Sequence, residues 1–94
     1  MATVLEIDGF LHEGDVRNPF VASITAPKPS GRAQEYACSI HAPVLFSKDK
    51  KIFGIDAQQA KELAVEFLKS MLDGRRLTDK SGKPIDLARL RAHG

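Results

Sequence analysis

A cysteine and a histidine lie close together near the middle of the chain, and these two residue types can act as a nucleophile and its base. Cys38 and His41 are three residues apart. On a regular strand, side chains at an odd separation point to opposite faces, so only a bulge brings these two together. Cys38 also shares a predicted strand face with Tyr36 and Ile40, and a cysteine in such an apolar row usually packs as a small, inert hydrophobe. The sequence therefore favours core packing for Cys38.

The N-terminal half also offers residue types that bind metals. His12 shares a predicted strand face with Asp8, and Glu13 and Asp15 follow it. A catalytic zinc site needs about three convergent protein ligands, and only His41 is available from another segment. We therefore expect a solvated acidic turn here, with no metal site, no cofactor site and no catalytic residue assigned.

Basic residues are concentrated near the C-terminus. Residues 1–47 contain three Lys or Arg and five Asp or Glu, whereas residues 48–94 contain eleven and seven. The basic residues after Gly74 are Arg75, Arg76, Lys80, Lys83, Arg89 and Arg91. Such a segment can contact nucleic-acid phosphates. Asp79 and Asp86 interrupt it, and the chain has one tyrosine and no tryptophan for base stacking, so no tight duplex binding is expected at physiological salt.

The remaining polar patterns favour a solvated surface. Asp56 precedes a predicted helix, whose N-terminus is a weak anion site by geometry alone, but its carboxylate would compete for the amide protons and repel an anion. Glu62 and Glu66 share a helix face with Lys69, a spacing typical of a charged, exposed surface.

The composition is that of one small globular domain. The chain has 94 residues, 43% of them hydrophobic and 28% charged, with a net charge of +2. No apolar run approaches the roughly 18 residues that span a bilayer, so no membrane partner is expected. The single cysteine excludes an internal disulfide. Glu6 and Asp8 occupy the place of the basic region of a signal peptide, which predicts a cytoplasmic protein.

One helix is predicted over residues 57–73. Asp56 is a suitable N-cap, Gln59 completes a capping box three residues later, and Gly74 suits the position after the helix. Apolar residues recur at helical spacing and form one stripe. Its phase predicts burial of Leu63, Ala64, Phe67, Leu68 and Met71, and exposure of Glu62, Glu66 and Lys69.

Alternating apolar residues predict strands over residues 3–12, 20–26 and 33–42, and a short fourth strand over 51–55 leads into the helix. Residues 27–31, with two prolines and a glycine, predict a loop. The side chains expected on one buried face are those of Leu5, Ile7, Leu11, Phe20, Ala22, Ile24, Tyr36, Cys38 and Ile40. Gly9 interrupts the first apolar row as a bulge would.

These elements predict a two-layer α+β domain. An antiparallel β-meander of three to four strands is covered on one face by one long helix, and a short C-terminal β-hairpin or extended tail follows. The domain is expected to span residues 1–87, and residues 88–94 form a basic C-terminal tail. The sheet face without the helix is expected to carry Val21, Val44 and Phe46 or Phe10.

The helix start resembles a signature of a small bacterial family of unknown function. The resemblance rests on Gly54-Ile55-Asp56-Ala57-Gln58-Gln59-Ala60, on Leu63-Ala64 and on Asp79-Lys80-Ser81-Gly82-Lys83-Pro84-Ile85, and covers about residues 20–87. It implies a β-meander, a helix opened by Gly-x-Asp-x-x-Gln-Ala and a short Asp-x-x-Gly turn, and it implies no activity. The element order also resembles β-β-β-α antitoxin domains, which suggests a protein-binding role as readily as any other.

The first functional expectation is a non-catalytic protein-interaction domain that forms a homodimer through a sheet edge or the open sheet face. One helix cannot cover both faces of a sheet, unpaired strand edges invite pairing, and two-fold contacts are the commonest closed assembly. The alternative is a nucleic-acid-associated protein that uses the basic C-terminal segment. The third is a small enzyme with its site at a dimer interface.

Overall fold

The computed structural model describes residues 3–31 and 35–90, which form one antiparallel sheet and one α-helix. The first three strands are β1 (Thr3–Glu13), β2 (Val16–Thr25) and β3 (Lys28–Pro29). They are followed by β4 (Tyr36–His41), β5 (Lys50–Gly54), α1 (Ala57–Leu72) and β6 (Arg76–Asp79). A short 3₁₀ helix, Leu87–Arg89, follows β6.

The sheet is built around a long hairpin and a central β4. β1 pairs with β2 along the hairpin, and β6 pairs with the other side of β1. β4 pairs with β5 on one side, and on the other side with the end of β2 and with β3. Because β3 continues the line of β2 after the Ala26-Pro27 break, the order across the sheet is β5, β4, β2 with β3, β1, β6. The Ser39 amide donates to Thr25 Oγ1 at 2.9 Å beside this break.

The structure corrects the expected strand number and the C-terminal hairpin. The sheet has six strands, since the predicted loop contains β3 and the C-terminal segment supplies β6. β6 pairs with β1, from Gly9 opposite Asp79 to His12 opposite Arg76. The chain after β6 returns only as far as an isolated Thr78–Pro84 bridge. β1 and β6 lie at opposite ends of the domain, and no turn joins them. Local sequence patterns therefore do not predict that they pair.

Gly9 is not a bulge, because β1 pairs in regular register with β2 from Leu5 to Glu13 and with β6 from Gly9 to His12. The register shift of the β1–β2 pair lies between Thr3 and Leu5. A Cβ on Gly9 would overlap the Thr78 carbonyl, so the glycine permits the close approach of β6.

The core lies between the sheet and α1, which packs over β4 and β5. Strand alternation places the predicted side chains in it: Leu5, Ile7, Leu11, Phe20, Ala22, Ile24, Cys38 and Ile40 are all buried, and Tyr36 is half-buried. On the open face, Val21 is exposed and Phe10 is half-buried. Phe46 instead packs against Phe67, and Val44 lies in the turn after β4.

The ends of α1 follow the predicted caps. The Asp56 carboxylate accepts from the Gln59 amide at 2.7 Å. The Gln59 side chain accepts from the Ile55 amide at 2.8 Å. In a capping box it would accept from the amide of the N-cap residue, Asp56, one position later. The helix ends at Leu72, and Gly74 has a φ of 77°, as expected for a residue that terminates a helix.

The phase of the helix differs in part from the prediction. Ala64 and Leu68 are buried and Glu62 and Glu66 are exposed, as expected, whereas Phe67, Met71 and Lys69 are half-buried. Leu63 is 43% exposed, and Val65, outside the predicted stripe, is 5% exposed. The apolar stripe is wider than the surface that contacts the sheet, because α1 packs mainly on β4 and β5, near one edge, and this contact buries Val65 but not Leu63 on the other flank.

Leu87 and Leu90 pack against the core at the end of the described chain. Residues 91–94 lie outside the described residues, so the domain boundary at residue 87 stays a prediction. Within residues 3–31 and 35–90, no helix has the length and apolar character needed to cross a membrane.

Candidate functional site

Cys38 and His41 lie on opposite faces of the sheet, so the structure forms no nucleophile–base pair from them. Cys38 has no exposed surface. Burial raises the pKa of its thiol, and the nearby Lys61 ammonium opposes this effect. His41 is exposed on the other face, where its Nδ1 lies 2.7 Å from Asp49 Oδ1.

The potential metal ligands of the N-terminal half are also separated. His12 Nε2 makes a 2.8 Å hydrogen bond with Thr78 Oγ1, whereas Asp8 forms an ion pair with Lys80 at 2.8 Å. In the described part of the chain, no group of three or more His, Cys, Asp or Glu side chains is placed to hold a metal ion.

The basic residues of the C-terminal segment do not form one stripe. Arg75 lies 3.9 Å from Glu13, Lys80 pairs with Asp8, and Arg89 lies 3.6 Å from Asp86. Arg91 lies outside the described residues. Three of the six residues predicted to contact nucleic acid are thus paired with carboxylates. The basic side chains of the segment lie on separate parts of the surface.

Lys83 belongs to a turn organised by Asp79. The Asp79 carboxylate accepts from the Ser81 hydroxyl at 2.6 Å, from the Ser81 amide at 2.8 Å and from the Lys83 amide at 3.0 Å. The Ser81 hydroxyl contributes most to lowering the pKa of Asp79. Asp79 therefore shapes the turn after β6 through local hydrogen bonds.

Arg76 belongs to a different arrangement, on the sheet face that α1 leaves uncovered. Leu11 is buried on the core side of β1, so Phe10 and His12 lie on the open face. His12 pairs across the strands with Arg17 on β2 and with Arg76 on β6. We call Arg17, His12 and Arg76 the cationic row. Sequence reasoning named Arg76 as a phosphate contact and His12 as a candidate metal ligand, but it missed Arg17 and the grouping of the three, because the row is created by strand register.

A groove of about 890 Å³ occupies the other end of the open face. Its floor contains the small side chains of Ala37 and Ser39, and the register places Lys28 and Phe53 beside Ala37 and Lys51 beside Ser39. The residues that line the groove are Thr25, Lys28, Pro29, Ser30, Glu35, Ala37, Ser39, Asp49, Lys51 and Phe53. Two lysines and two carboxylates leave the lining without net charge.

The two outer edges of the sheet differ. Beyond β6, the returning chain supplies backbone bonds from the Asp79 amide to the Lys83 carbonyl at 2.8 Å and from the Ile85 amide to the Leu77 carbonyl at 2.9 Å. β5 pairs only with β4 among the described residues, so its outer edge is open.

Exposed apolar side chains accompany the open edge of β5. Phe53 is 49% exposed on the strand, and Ile55, directly after it, is 73% exposed. Leu63 lies one helical turn before Phe67, whose ring is 5.7 Å from the ammonium of Lys50 at the start of β5. Leu63 therefore lies on the helix flank that faces the β5 side of the sheet.

Comparison with known proteins gives no family for this arrangement: no protein-family model matches the chain, and searches of curated proteins and of solved structures give no match either. The resemblances of the Gly54–Ala60 run and of the element order stay predictions. The function is therefore inferred from the geometry of the sheet itself.

Proposed function

We propose that the chain is a non-catalytic protein-interaction domain that forms a homodimer through the outer edge of β5. The observation that carries this proposal is the outer edge of β5, whose backbone groups have no partner among residues 3–31 and 35–90, whereas the opposite edge of the sheet is occupied. Unpaired edges are templates for strand addition. The exposed side chains of Phe53, Ile55 and Leu63 add apolar surface beside this edge.

The sequence of β5 favours pairing with a second copy of itself. In an antiparallel two-fold pair centred on Ile52, the whole strand Lys50–Gly54 pairs with its copy. Lys51 of each protomer then lies opposite Phe53 of the other, and a lysine beside an aromatic ring is a favourable neighbour. A register centred on Lys51 would place like charges opposite each other and use fewer strand residues.

Lysines on an edge strand usually discourage pairing, but the placement of these two reduces that effect. The Lys50 ammonium is over the Phe67 ring of its own protomer, at 5.7 Å from the centroid. Lys51 faces Phe53 in the register centred on Ile52. Neither lysine then opposes another lysine.

The same two-fold pairing also gives a role to the exposed Leu63 side chain on α1. A two-fold axis perpendicular to the sheet keeps both helices on one face, where the flanks that carry Leu63 approach each other. Strand pairing and helix contact together extend the interface beyond five strand residues. We expect a total buried area of at least about 1,000 Å², as stable interfaces require.

Sedimentation velocity and light scattering of the full chain at micromolar concentrations test the proposal. Wild type is expected to have about twice the monomer mass of 10.3 kDa. Phe53→Lys places a lysine opposite Lys51 of the other protomer and is expected to be monomeric. Val21→Lys is the matched control, because Val21 is 48% exposed on the same sheet face but lies away from β5, and it is expected to remain dimeric.

A double variant tests the register. Lys51→Glu combined with Phe53→Lys creates two Glu–Lys pairs across the two-fold axis and is expected to restore the dimer. A monomeric wild type overturns the proposal and favours a different partner for this edge. A Phe53→Lys variant that stays dimeric overturns the β5 interface.

A further inference from the structure

We propose that the cationic row, Arg17, His12 and Arg76, is a binding site for a phosphoryl group. The group can belong to a small phosphate ester or to the backbone of a single-stranded nucleic acid, since both present the same oxyanion chemistry. The row lies on β2, β1 and β6, at the opposite side of the sheet from β5. This inference is independent of the proposed dimer.

Strand register places the three side chains in one line on one face. Neighbouring strands are about 4.8 Å apart, so the Cα atoms of the row span about 10 Å from Arg17 to Arg76. The flexible arginine side chains can converge over His12 from both ends. Guanidinium groups bind phosphoryl oxygens through paired N–H donors, which gives such contacts both strength and orientation.

Two members of the row are held in position before any ligand binds. The Arg17 guanidinium stacks on the Phe10 ring, 4.3 Å from its centroid, and stacking leaves the N–H groups at the guanidinium edge available. His12 is anchored through Nε2 to the Thr78 hydroxyl, and Thr78 is only 3% exposed. In the described residues no hydrogen bond engages His12 Nδ1, so this nitrogen can face a ligand.

The charge of the row is not neutralised by nearby carboxylates. On β1, Glu13 next to His12 has the parity of the core face and lies 3.9 Å from Arg75, and Asp8, four residues before His12, is paired with Lys80 at 2.8 Å. Within residues 3–31 and 35–90, no ion pair involves Arg17 or Arg76. Two guanidinium groups without a counter-charge on one side of a sheet favour an anionic ligand.

A phosphoryl group suits the row better than a carboxylate does. It offers up to three acceptor oxygens and up to about two negative charges near neutral pH, which can satisfy both arginines and the imidazole together. The next row on the open face contains Phe10 and Pro19, and Val21 beyond it is 48% exposed. This apolar surface can contact the remainder of an esterified ligand.

An NMR titration of the full chain with inorganic phosphate, at ionic strength held constant with chloride, tests the site. We expect saturable shifts at His12, Arg17, Arg76 and Thr78. Arg17→Ala and Arg76→Ala are each expected to weaken binding about tenfold, the usual loss for a hydrogen bond to a charged group. Arg75→Ala, next in sequence but paired with Glu13, is the matched control and is expected to change the affinity less than about twofold.

A second titration with an oligothymidine distinguishes the two sources of the phosphoryl group. Binding tighter than that of phosphate, weakened by salt and lost in Arg17→Ala, identifies a nucleic-acid backbone. Saturable binding of phosphate without tighter oligothymidine binding identifies a small ester. Phe53→Lys is expected to bind phosphate like the wild type, so failure of the dimer leaves this test intact. Absence of saturable shifts with both probes, or an equal loss in Arg75→Ala, overturns the proposal.

Discussion

Replacement of Gly54 by alanine perturbs the junction where β5 turns into α1. Gly54 is buried at the end of β5. A Cβ there would lie 2.5 Å from the Ala60 nitrogen and 2.8 Å from the Ala60 Cα, whereas ordinary contact begins at 3.4 Å. Both atoms belong to the helix backbone, so no side-chain rotation relieves the overlap. The first turn of α1 must therefore move by about 0.9 Å, the difference between the 3.4 Å limit and the 2.5 Å contact.

This movement acts on the helix cap as well as on packing. The Ile55 amide donates to the Gln59 side chain at 2.8 Å, and the Gln59 amide donates to the Asp56 carboxylate at 2.7 Å. Overpacking of a core costs about 1–3 kcal/mol, and loss of an N-cap costs about 1 kcal/mol. For a domain of this size, 2 kcal/mol of destabilisation corresponds to a fall in Tm of about 8–16 °C.

Urea denaturation followed by circular dichroism, with all variants at one protein concentration, measures the effect. We expect Gly54→Ala to lower the free energy of unfolding by about 2–3 kcal/mol. Gln58→Ala is the control at the same junction, because Gln58 is exposed and its side chain donates to the Glu62 carboxylate at 2.8 Å, away from Gly54. It is expected to stay within about 0.5 kcal/mol of wild type. A Gly54→Ala cost below this limit would refute the close contact between β5 and α1.

Four further experiments test the core, the helix phase and the turn after β6. Leu68→Ala removes a side chain with no exposed surface and is expected to cost about 2–5 kcal/mol. Leu63→Ala should lower the free energy of unfolding by less than about 1 kcal/mol in a monomeric Phe53→Lys background. If urea denaturation gives the same cost for Leu63→Ala as for Leu68→Ala, the helix phase is contradicted. Because burial raises the pKa of the Cys38 thiol, a thiol reagent at mildly alkaline pH should modify the native protein far more slowly than the urea-unfolded chain, and equal rates would contradict its burial. Hydrogen bonds lower the pKa of Asp79 below the ordinary value of 3.8, so they stabilise the fold above that pH and this contribution disappears as the pH falls through the folded-state value. The stability difference between wild type and Asp79→Ala should therefore shrink in acid, and a difference that is constant with pH would exclude this role.

The parts of the fold that the sequence predicts well depend on short-range chemistry. The Gly-x-Asp-x-x-Gln-Ala run is an example, because its four specified residues meet at one junction. Asp56 and Gln59 cap the helix, and Gly54 leaves room for the backbone of Ala60. The cap was predictable from residue types and spacing alone. The contact between Gly54 and Ala60 adds a physical reason for the other two positions, which capping rules do not provide.

The phase of α1 depends on longer-range information. Leu63 and Val65 are both apolar and lie on opposite flanks of the stripe, so periodicity alone does not decide which one the sheet covers. The helix packs over β4 and β5, near one edge of the sheet, and buries Val65 while Leu63 stays 43% exposed. An interface at this edge would use the flank that the monomer leaves open, which connects the error in the predicted stripe to the proposed dimer.

The cationic row shows why a basic segment in the sequence differs from a basic site in the fold. Arg75 and Arg76 are neighbours with the same charge, but Arg75 is paired with Glu13 whereas Arg76 lies beside His12 on the open face. Arg17 comes from the half of the chain with net negative charge, and it joins His12 and Arg76 only because β2 pairs with β1. Local charge counts therefore find an excess of positive charge, but the position of that charge depends on strand pairing. The contrast between Arg75→Ala and Arg76→Ala isolates this effect, because the two variants change the net charge equally and differ in the contacts of the side chain that they remove.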